Sequence, residues 1–150
     1  MMEKSSTDYL YTRINLNETN YEVTLPMAVL IKPDPEELRE IYFTYCRYKQ
    51  FKSVSVIHDK EILGNDIMVL GYYDQGKLEA FSLFRLYDNE NVENFQFAWT
   101  YHEPKQRYGI KSLETECAFF KALGYKYMYL GLDAPYKREM QGFEILGPVE

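Results

Sequence analysis

The stretch FQFAWTYHEPKQRYGIKSLETECAFFKALGYKYMYLG, residues 95–131, decides the fold of this chain. Its first part, Phe95–Tyr101, is rich in aromatic residues, which suits a pleated and half-buried strand. After Gly109 the apolar residues take helical spacing, at Ile110, Leu113, Cys117 and Phe120. The stretch therefore predicts a strand, a glycine turn and an amphipathic helix. Such a turn directs backbone N–H groups at one point, which favours binding of an anion.

The charged residues of this helix are expected mostly on the side opposite its apolar stripe: Lys111, Glu114, Glu116 and Lys121. Cys117 lies on the apolar stripe itself, which favours a buried thiol over a nucleophile because the sequence places no histidine near it.

The end of the quoted stretch predicts a second strand. Gly124 fits the position just after a helix, where glycine adopts a left-handed backbone at little cost. Tyr125–Leu130 then has strand character. The rings of Tyr125, Tyr127 and Tyr129 alternate and are expected on one face of it, where they either line a ligand cleft or form core under a helix.

Upstream of the stretch, the sequence predicts a meander of three antiparallel strands. The strands are Ile67–Tyr73, Leu78–Tyr87 and Val92–Tyr101. Turn-forming residues separate them at Asp74–Lys77 and Asp88–Asn91.

The N-terminal part predicts a helix between less regular segments. Asp34 is an N-cap candidate and Pro35 suits the first helical position, and we expect the helix to end near Gln50 or Phe51. The flanking segments are expected to be extended: Tyr9–Asn15 as an arm or first strand, Tyr21–Ile31 as a strand bent at Pro26, and 54–57 as a short strand.

At the other end, Asp133–Met140 predicts a turn or short helix and Gly142–Leu146 a last strand. The whole order predicts an α/β fold, with a mixed, mostly antiparallel sheet flanked by helices on both faces. We expect residues 1–150 to form a single domain in which residues 1–8 are frayed.

Composition narrows the function classes. The chain of 150 residues carries a net charge of −6, which disfavours nucleic acid as the main partner. Its two cysteines, Cys46 and Cys117, lack metal-ligand spacing and are expected to be reduced thiols in the core. No apolar run reaches membrane-spanning length, and the polar start of the chain does not read as a signal peptide. We therefore expect a cytoplasmic protein without a metal site.

The order of elements resembles the GNAT superfamily of N-acyltransferases, in which a meander leads into a Gln/Arg-x-x-Gly-x-Gly/Ala turn at a helix start. The residues in that place are Gln106, Arg107, Tyr108, Gly109, Ile110 and Lys111. The resemblance implies that this turn binds the pyrophosphate of acyl-coenzyme A. Lys111 replaces the second small residue of the motif, and its side chain either blocks the approach to the backbone or meets a phosphate.

A narrower resemblance covers residues from about Met68 to Glu150, which are similar to the C-terminal domain of aminoacyl-tRNA–protein transferases, the arginyl- and leucyl-transferases. That family has the pattern Glu-Leu-Gly-x-x-Tyr-x-Tyr-Leu-Gly, which 122–131 (ALGYKYMYLG) follows closely. Met140 and Pro148 also match, whereas the family's Tyr-Lys pair and its cysteine-rich N-terminal region have no counterpart. This resemblance implies aminoacyl-tRNA as a donor, although the acidic charge counts against tRNA binding.

The GNAT resemblance also suggests roles in acyl transfer, which needs a base for the attacking amine and an acid for the leaving group. Glu103 or His102 would be the base and Tyr136 the acid, with His102, Tyr129 and Asp133 as candidates for binding the substrate. Each has a plain structural alternative: Glu103 in a solvated loop, Tyr136 as one tyrosine among fifteen, and Asp133 as the cap of a turn.

The leading hypothesis is thus an N-acyltransferase that moves an acyl or aminoacyl group from coenzyme A or aminoacyl-tRNA to a primary amine of a small molecule or protein. The alternative is a GNAT-like domain without catalytic activity that acts as a protein-interaction module or a structural module. The sequence leaves the acceptor, the donor and the oligomeric state open.

Overall fold

A computed structural model of the protein describes residues 10–51, 54–100, 108–132 and 134–148. Seven strands form one sheet: β1 (Leu10–Asn15), β2 (Met27–Val29), β3 (Ile67–Asp74), β4 (Lys77–Leu86), β5 (Asn91–Trp99), β6 (Tyr127–Leu132) and β7 (Phe143–Pro148). The helices are α1 (Pro35–Lys49), α2 (Lys60–Leu63) and α3 (Tyr108–Ala122), with 3-10 turns at Leu16–Glu18 and Pro135–Lys137.

The strands lie in the order β2-β3-β4-β5-β6-β1-β7, and neighbouring strands of this sheet are antiparallel except β5 and β6, which are parallel. The predicted α/β class, with its meander and mixed sheet, is confirmed. Within the described residues, no helix is both long and apolar enough to cross a bilayer.

Two apolar cores hold the helices on the sheet. The first packs α1 on β3 and β4, and includes Leu38, Ile41, Cys46, Val69, Phe81 and Leu83. The second packs α3 on the central strands, and includes Ile14, Phe84, Leu113, Cys117, Phe120 and Met128. The rings of Phe84 and Phe120 lie 4.7 Å apart between centroids. Both cysteines are free and buried, as expected for core thiols.

Local signals in the sequence fix several element ends. The Asp34 side chain accepts a hydrogen bond from the Glu36 N–H at 3.0 Å, and Pro35 is the first residue of α1. Gly76, with φ +80°, makes the hairpin between β3 and β4, and Gly124, with φ +97°, follows α3.

Two predicted strands of the N-terminal part are wrong in extent. The strand expected over Tyr21–Ile31 is confined to Met27–Val29, directly after Pro26, whose ring nitrogen has no hydrogen to donate to a ladder. Residues 54–57 form no strand. Instead the Ile57 carbonyl accepts from Arg39 Nε at 2.9 Å, so a side chain takes the place of a neighbouring strand.

The three alternating tyrosines of β6 do not share one face. Tyr125 precedes the strand and packs edge-on against Phe120 of α3, with centroids 5.3 Å apart. Tyr127 and Tyr129 lie instead on the opposite face, where both approach Arg13 of β1. Helix α3 ends close to the start of β6, so the Phe120 ring packs against the Tyr125 ring and holds it on the α3 side of the sheet.

Strand β1 has a central position. It lies antiparallel between β6 and β7, so the segment predicted as an arm or first strand joins two strands from the far end of the chain. The Asn15 N–H also donates to the Gly142 carbonyl at 2.8 Å. Gly142 has φ +71°, and a Cβ there would clash with the Asn15 carbonyl oxygen, so only glycine fits this crossing.

Candidate functional site

A bulge in β5 opens a cleft in the middle of the sheet. β5 and β6 pair only along Asn91–Glu93 and Tyr127–Tyr129, although both strands continue. Directly beyond this point β5 carries one extra residue, Phe95, relative to β4. Because a bulge bends its strand and increases its twist, β5 turns away from β6 and leaves a V-shaped gap.

The cleft has a volume of about 580 Å³, within the usual range of small-molecule sites. Its wall residues come from β5, α3, β6, α1 with the segment just after it, and the 3-10 turn Pro135–Lys137. The apolar ones are Phe95, Phe97, Trp99, Ile110, Leu113, Leu130 and Phe51, and the polar ones are Tyr45, Lys49, Asn94, Gln96, Ser112, Glu116, Tyr136 and Lys137. The cleft thus offers apolar walls with a few polar groups, as small-ligand sites do.

Glu116 is the buried carboxyl group of this cleft, and it has no exposed surface. Its Oε2 accepts from the hydroxyls of Tyr72 and Ser82, each at 2.5 Å. Its Oε1 accepts from Asn94 Nδ2 at 2.8 Å. Strands β3, β4 and β5 therefore each supply one donor to a single carboxyl group of α3.

Burial raises the pKa of Glu116 from 4.5 to about 7, because removal from water disfavours the charged form. The hydrogen bonds from Ser82, Tyr72 and Asn94 act in the opposite direction, since they stabilise the carboxylate. A carboxyl group with a pKa near neutrality can both take and release a proton under ordinary conditions. Burial also raises the pKa of the neighbouring Cys117 thiol, which keeps that sulfur protonated and inert.

The expectation that Glu116 lies on the charged side of α3 is wrong. It follows Leu113 by three residues and precedes Phe120 by four, so helical geometry places it on the buried stripe. That spacing was the available signal for this residue. The partners Tyr72, Ser82 and Asn94 lie on three different strands and gave no signal in the sequence.

The structure brings only some of the predicted site residues to the cleft. Gly109, Ile110 and Tyr136 line it, while Lys111 is exposed on the outside of α3. Tyr129 lines a different pocket on the sheet face, and Tyr108 is the first residue of α3. The remaining predicted residues lie outside the described residues: His102, Glu103, Gln106, Arg107 and Asp133.

No protein-family model and no curated protein matches this chain. Solved structures do resemble it. L-PGS from Bacillus licheniformis superposes with a TM-score of 0.61 at 15% identity, over 83% of this chain and 46% of that one. A GCN5-related N-acetyltransferase from Kribbella flavida gives a TM-score of 0.55 at 14% identity, over 93% and 55%.

The N-myristoyltransferase of Saccharomyces cerevisiae, solved with myristoyl-CoA, gives a TM-score of 0.57 at 11% identity, over 87% of this chain and 43% of that one. This chain therefore spans about half the length of the structures that it resembles. At such low identities the likeness shows the fold alone, which this chain shares with structures named as GCN5-related N-acetyltransferases.

Proposed function

We propose that this protein is an N-acyltransferase that moves an acyl group from acyl-coenzyme A, or an aminoacyl group from aminoacyl-tRNA, to a primary amine. The observation that carries the proposal is the cleft between β5 and β6, which contains a buried carboxyl group whose pKa is near 7. Structures with this fold include enzymes named for acyl transfer, which supports the reaction class.

The residues around the cleft fit a coenzyme A donor. Among the described residues, and apart from its own helix backbone and chain neighbours, no atom lies within 4 Å of a Cβ added to Gly109, which leaves room for a ligand near the backbone at the start of α3. Lys49 and Lys137 supply positive charge at the cleft, and its apolar walls suit an alkyl-rich arm. When bound, acyl-coenzyme A supplies an activated thioester. The turn 106–111 is our proposed holder of its phosphates.

The attacking amine must lose a proton, and two carboxyl groups are candidates for taking it. Glu103 is the candidate from the sequence. Glu116 is the candidate from the structure, because it borders the cleft with a pKa near 7. Tyr136, at the rim of the cleft and largely exposed, is the proposed acid for the leaving group. His102 and Asp133 remain candidates for binding the acceptor.

Donor binding tests the proposal most directly. We expect calorimetry and thermal shift to detect acetyl-coenzyme A, with charged tRNA measured separately as the competing donor. Lys111→Gly strengthens binding if the lysine blocks the backbone and weakens it if the ammonium meets a phosphate. Lys111→Ala is the control, because alanine removes the same side chain while keeping helix propensity. Failure of both donors to bind the wild type and Lys111→Gly would sink the proposal.

A second candidate is a GNAT-like module without catalysis. Two observations favour it: Lys111 stands where the family has a small residue, and the Glu116 carboxyl already has three donors from the protein. This candidate predicts no acyl transfer to any amine by the wild type. Under the enzyme proposal, Glu103→Gln or Glu116→Gln lowers turnover and changes its pH profile while donor binding persists.

A further inference from the structure

A second pocket lies on the sheet face opposite α3. Its volume is about 340 Å³, and its walls include three tyrosines from separate elements: Tyr11 of β1, Tyr87 directly after β4, and Tyr129 of β6. Asp88 and Asn91 complete its lining. We call this site the tyrosine pocket.

One partly buried carboxylate, that of Glu93, holds two walls of the tyrosine pocket. Glu93, whose side chain is 12% exposed, accepts from the Tyr11 hydroxyl at 2.9 Å and from the Tyr87 hydroxyl at 2.7 Å. Arg85 Nη1 lies 3.4 Å from the same carboxylate. The rings of Tyr11 and Tyr129 are tilted by 48°, with centroids 6.3 Å apart. The rings are thus held in place before any ligand arrives, which lowers the entropic cost of binding.

Tyr11 and Tyr87 remain neutral phenols over the physiological pH range, because the pKa of each is raised. Burial, followed by the hydrogen bond to Glu93, raises the pKa of Tyr11 to about 12. Backbone hydrogen bonding from Glu90 holds the pKa of Asp88 below its ordinary value, so that carboxylate is charged. The pocket therefore combines the negative faces of aromatic rings with a nearby carboxylate, both of which attract a cation.

Aromatic rings on this face already hold cations of the protein itself. The Arg13 guanidinium lies 3.8 Å from the centroid of the Tyr127 ring. The Arg85 guanidinium lies 4.7 Å from the centroid of the Phe95 ring. Cations thus already contact rings on this face, and the tyrosine pocket is an open depression on it that three rings line.

We propose that the tyrosine pocket binds a quaternary ammonium group, either of a small molecule such as choline or of a trimethylated lysine side chain. A bare ammonium ion is strongly hydrated and needs acceptors for its three N–H groups. Here the Glu93 carboxylate is already occupied by Tyr11, Tyr87 and Arg85. A cation without N–H groups needs only the ring faces and the field of the carboxylates.

The site is separate from the cleft and goes beyond the proposed acyl transfer. Its β5 and β6 residues, Asn91 and Tyr129, lie where these two strands are still paired, whereas β5 lines the cleft from Asn94 onward. A variant can therefore lose cation binding in the tyrosine pocket and keep acyl transfer in the cleft, or the reverse, so failure of one proposal is distinguishable from failure of the other.

The test is a titration of the protein with tetramethylammonium chloride, followed by NMR at constant ionic strength, with ammonium chloride as the matched salt. We expect saturable shifts at Tyr11 and Tyr129 with tetramethylammonium and no saturation with ammonium. A trimethyllysine peptide and its unmethylated form then separate a protein ligand from a small molecule, because a small-molecule site would bind choline and exclude both peptides.

Tyr87→Leu removes one wall and should weaken tetramethylammonium binding about two- to fivefold, as expected for loss of one cation–ring contact at an exposed site. Tyr48→Leu on α1 is the matched control, because the two side chains are similarly exposed, at 54% and 51%. Asp88→Asn keeps the oxygen that caps the turn but removes the charge, and should weaken binding severalfold even if Tyr87→Leu fails to fold. Equal binding of both cations, or equal weakening by Tyr48→Leu, would overturn the proposal.

Discussion

The buried carboxyl of Glu116 makes the stability of the fold depend on pH in an unusual direction. Its folded pKa is about 7, against an ordinary value of 4.5. Between these values the folded protein binds a proton that the unfolded chain does not, so stability falls as pH rises. Most carboxylates contribute in the opposite direction, because salt bridges lower their pKa in the folded state.

The magnitude follows from the two pKa values. A rise from 4.5 to about 7 corresponds to about 3 kcal/mol of unfolding free energy, since one pKa unit is worth about 1.4 kcal/mol. This stabilisation of the folded state by the protonated Glu116 carboxyl is complete below pH 4.5 and is lost as pH rises through 7. The groups in contact with the carboxyl do not titrate in this window: Ser82 and Asn94 are neutral, and burial raises the pKa of Tyr72 well above its ordinary value.

Glu116→Gln should abolish this dependence, because an amide does not titrate and can keep the acceptor oxygen for Tyr72 and Ser82. Its –NH₂ group requires Asn94 to turn its own amide so that the oxygen accepts. Urea unfolding from pH 4 to pH 8 measures the effect as the difference between wild type and Glu116→Gln, with Glu114→Gln on the same helix as control. If the wild-type and Glu116→Gln curves run parallel, the carboxyl titrates normally and the argument for a near-neutral acid in the cleft is wrong.

Three further substitutions, two of them paired with a control, probe other parts of the structure. Tyr72→Phe should cost about 2 kcal/mol at pH 8 and less at pH 5, because a hydrogen bond to a carboxylate is worth more than one to a neutral carboxyl; urea unfolding at the two pH values checks this. Phe120→Ala should cost about 3–5 kcal/mol in chemical denaturation. Leu123→Ala, at an exposed position just beyond α3, should change stability by less than about 0.5 kcal/mol. Gly142→Ala should cost about 1–3 kcal/mol more than Gly124→Ala in thermal unfolding, because both glycines have positive φ but only the first lacks room for a Cβ. Equal losses for the two glycines would exclude the close backbone crossing.

Much of the fold was readable from local signals. The cap at Asp34, the glycine after α3 and the hairpin at Gly76 each act over a few residues, so their effect is visible in the sequence. The segments predicted less well depend on distant partners. Residues 54–57 have the composition of a strand, yet they pair with no strand of the described sheet. The Ile57 carbonyl accepts a hydrogen bond from the Arg39 guanidinium instead.

The cleft depends on features that local patterns do not encode. Phe95 is a bulge only because of how β5 pairs with β4, and no residue type in the stretch signals the extra position. Glu116 was placed with the charged residues although its spacing is that of the buried stripe, and its three donors come from residues 22 to 44 positions away. The pairing of strands therefore determines the depth and the chemistry of the cleft, and the site residues predicted from the sequence stay a prediction.

The central place of β1 has a consequence for how the chain reaches its native state. Thr12 is hydrogen-bonded to Gly131, which lies 119 residues away in sequence. Contacts of such long range slow folding, because a large loop must close before they form. The meander and α3 can assemble first, which leaves β6 with an open edge that β1 must reach before β7 can dock. An open strand edge of this kind also pairs with strands of other molecules. Rapid pairing of β1 with β6 therefore protects the folding chain from aggregation through this edge.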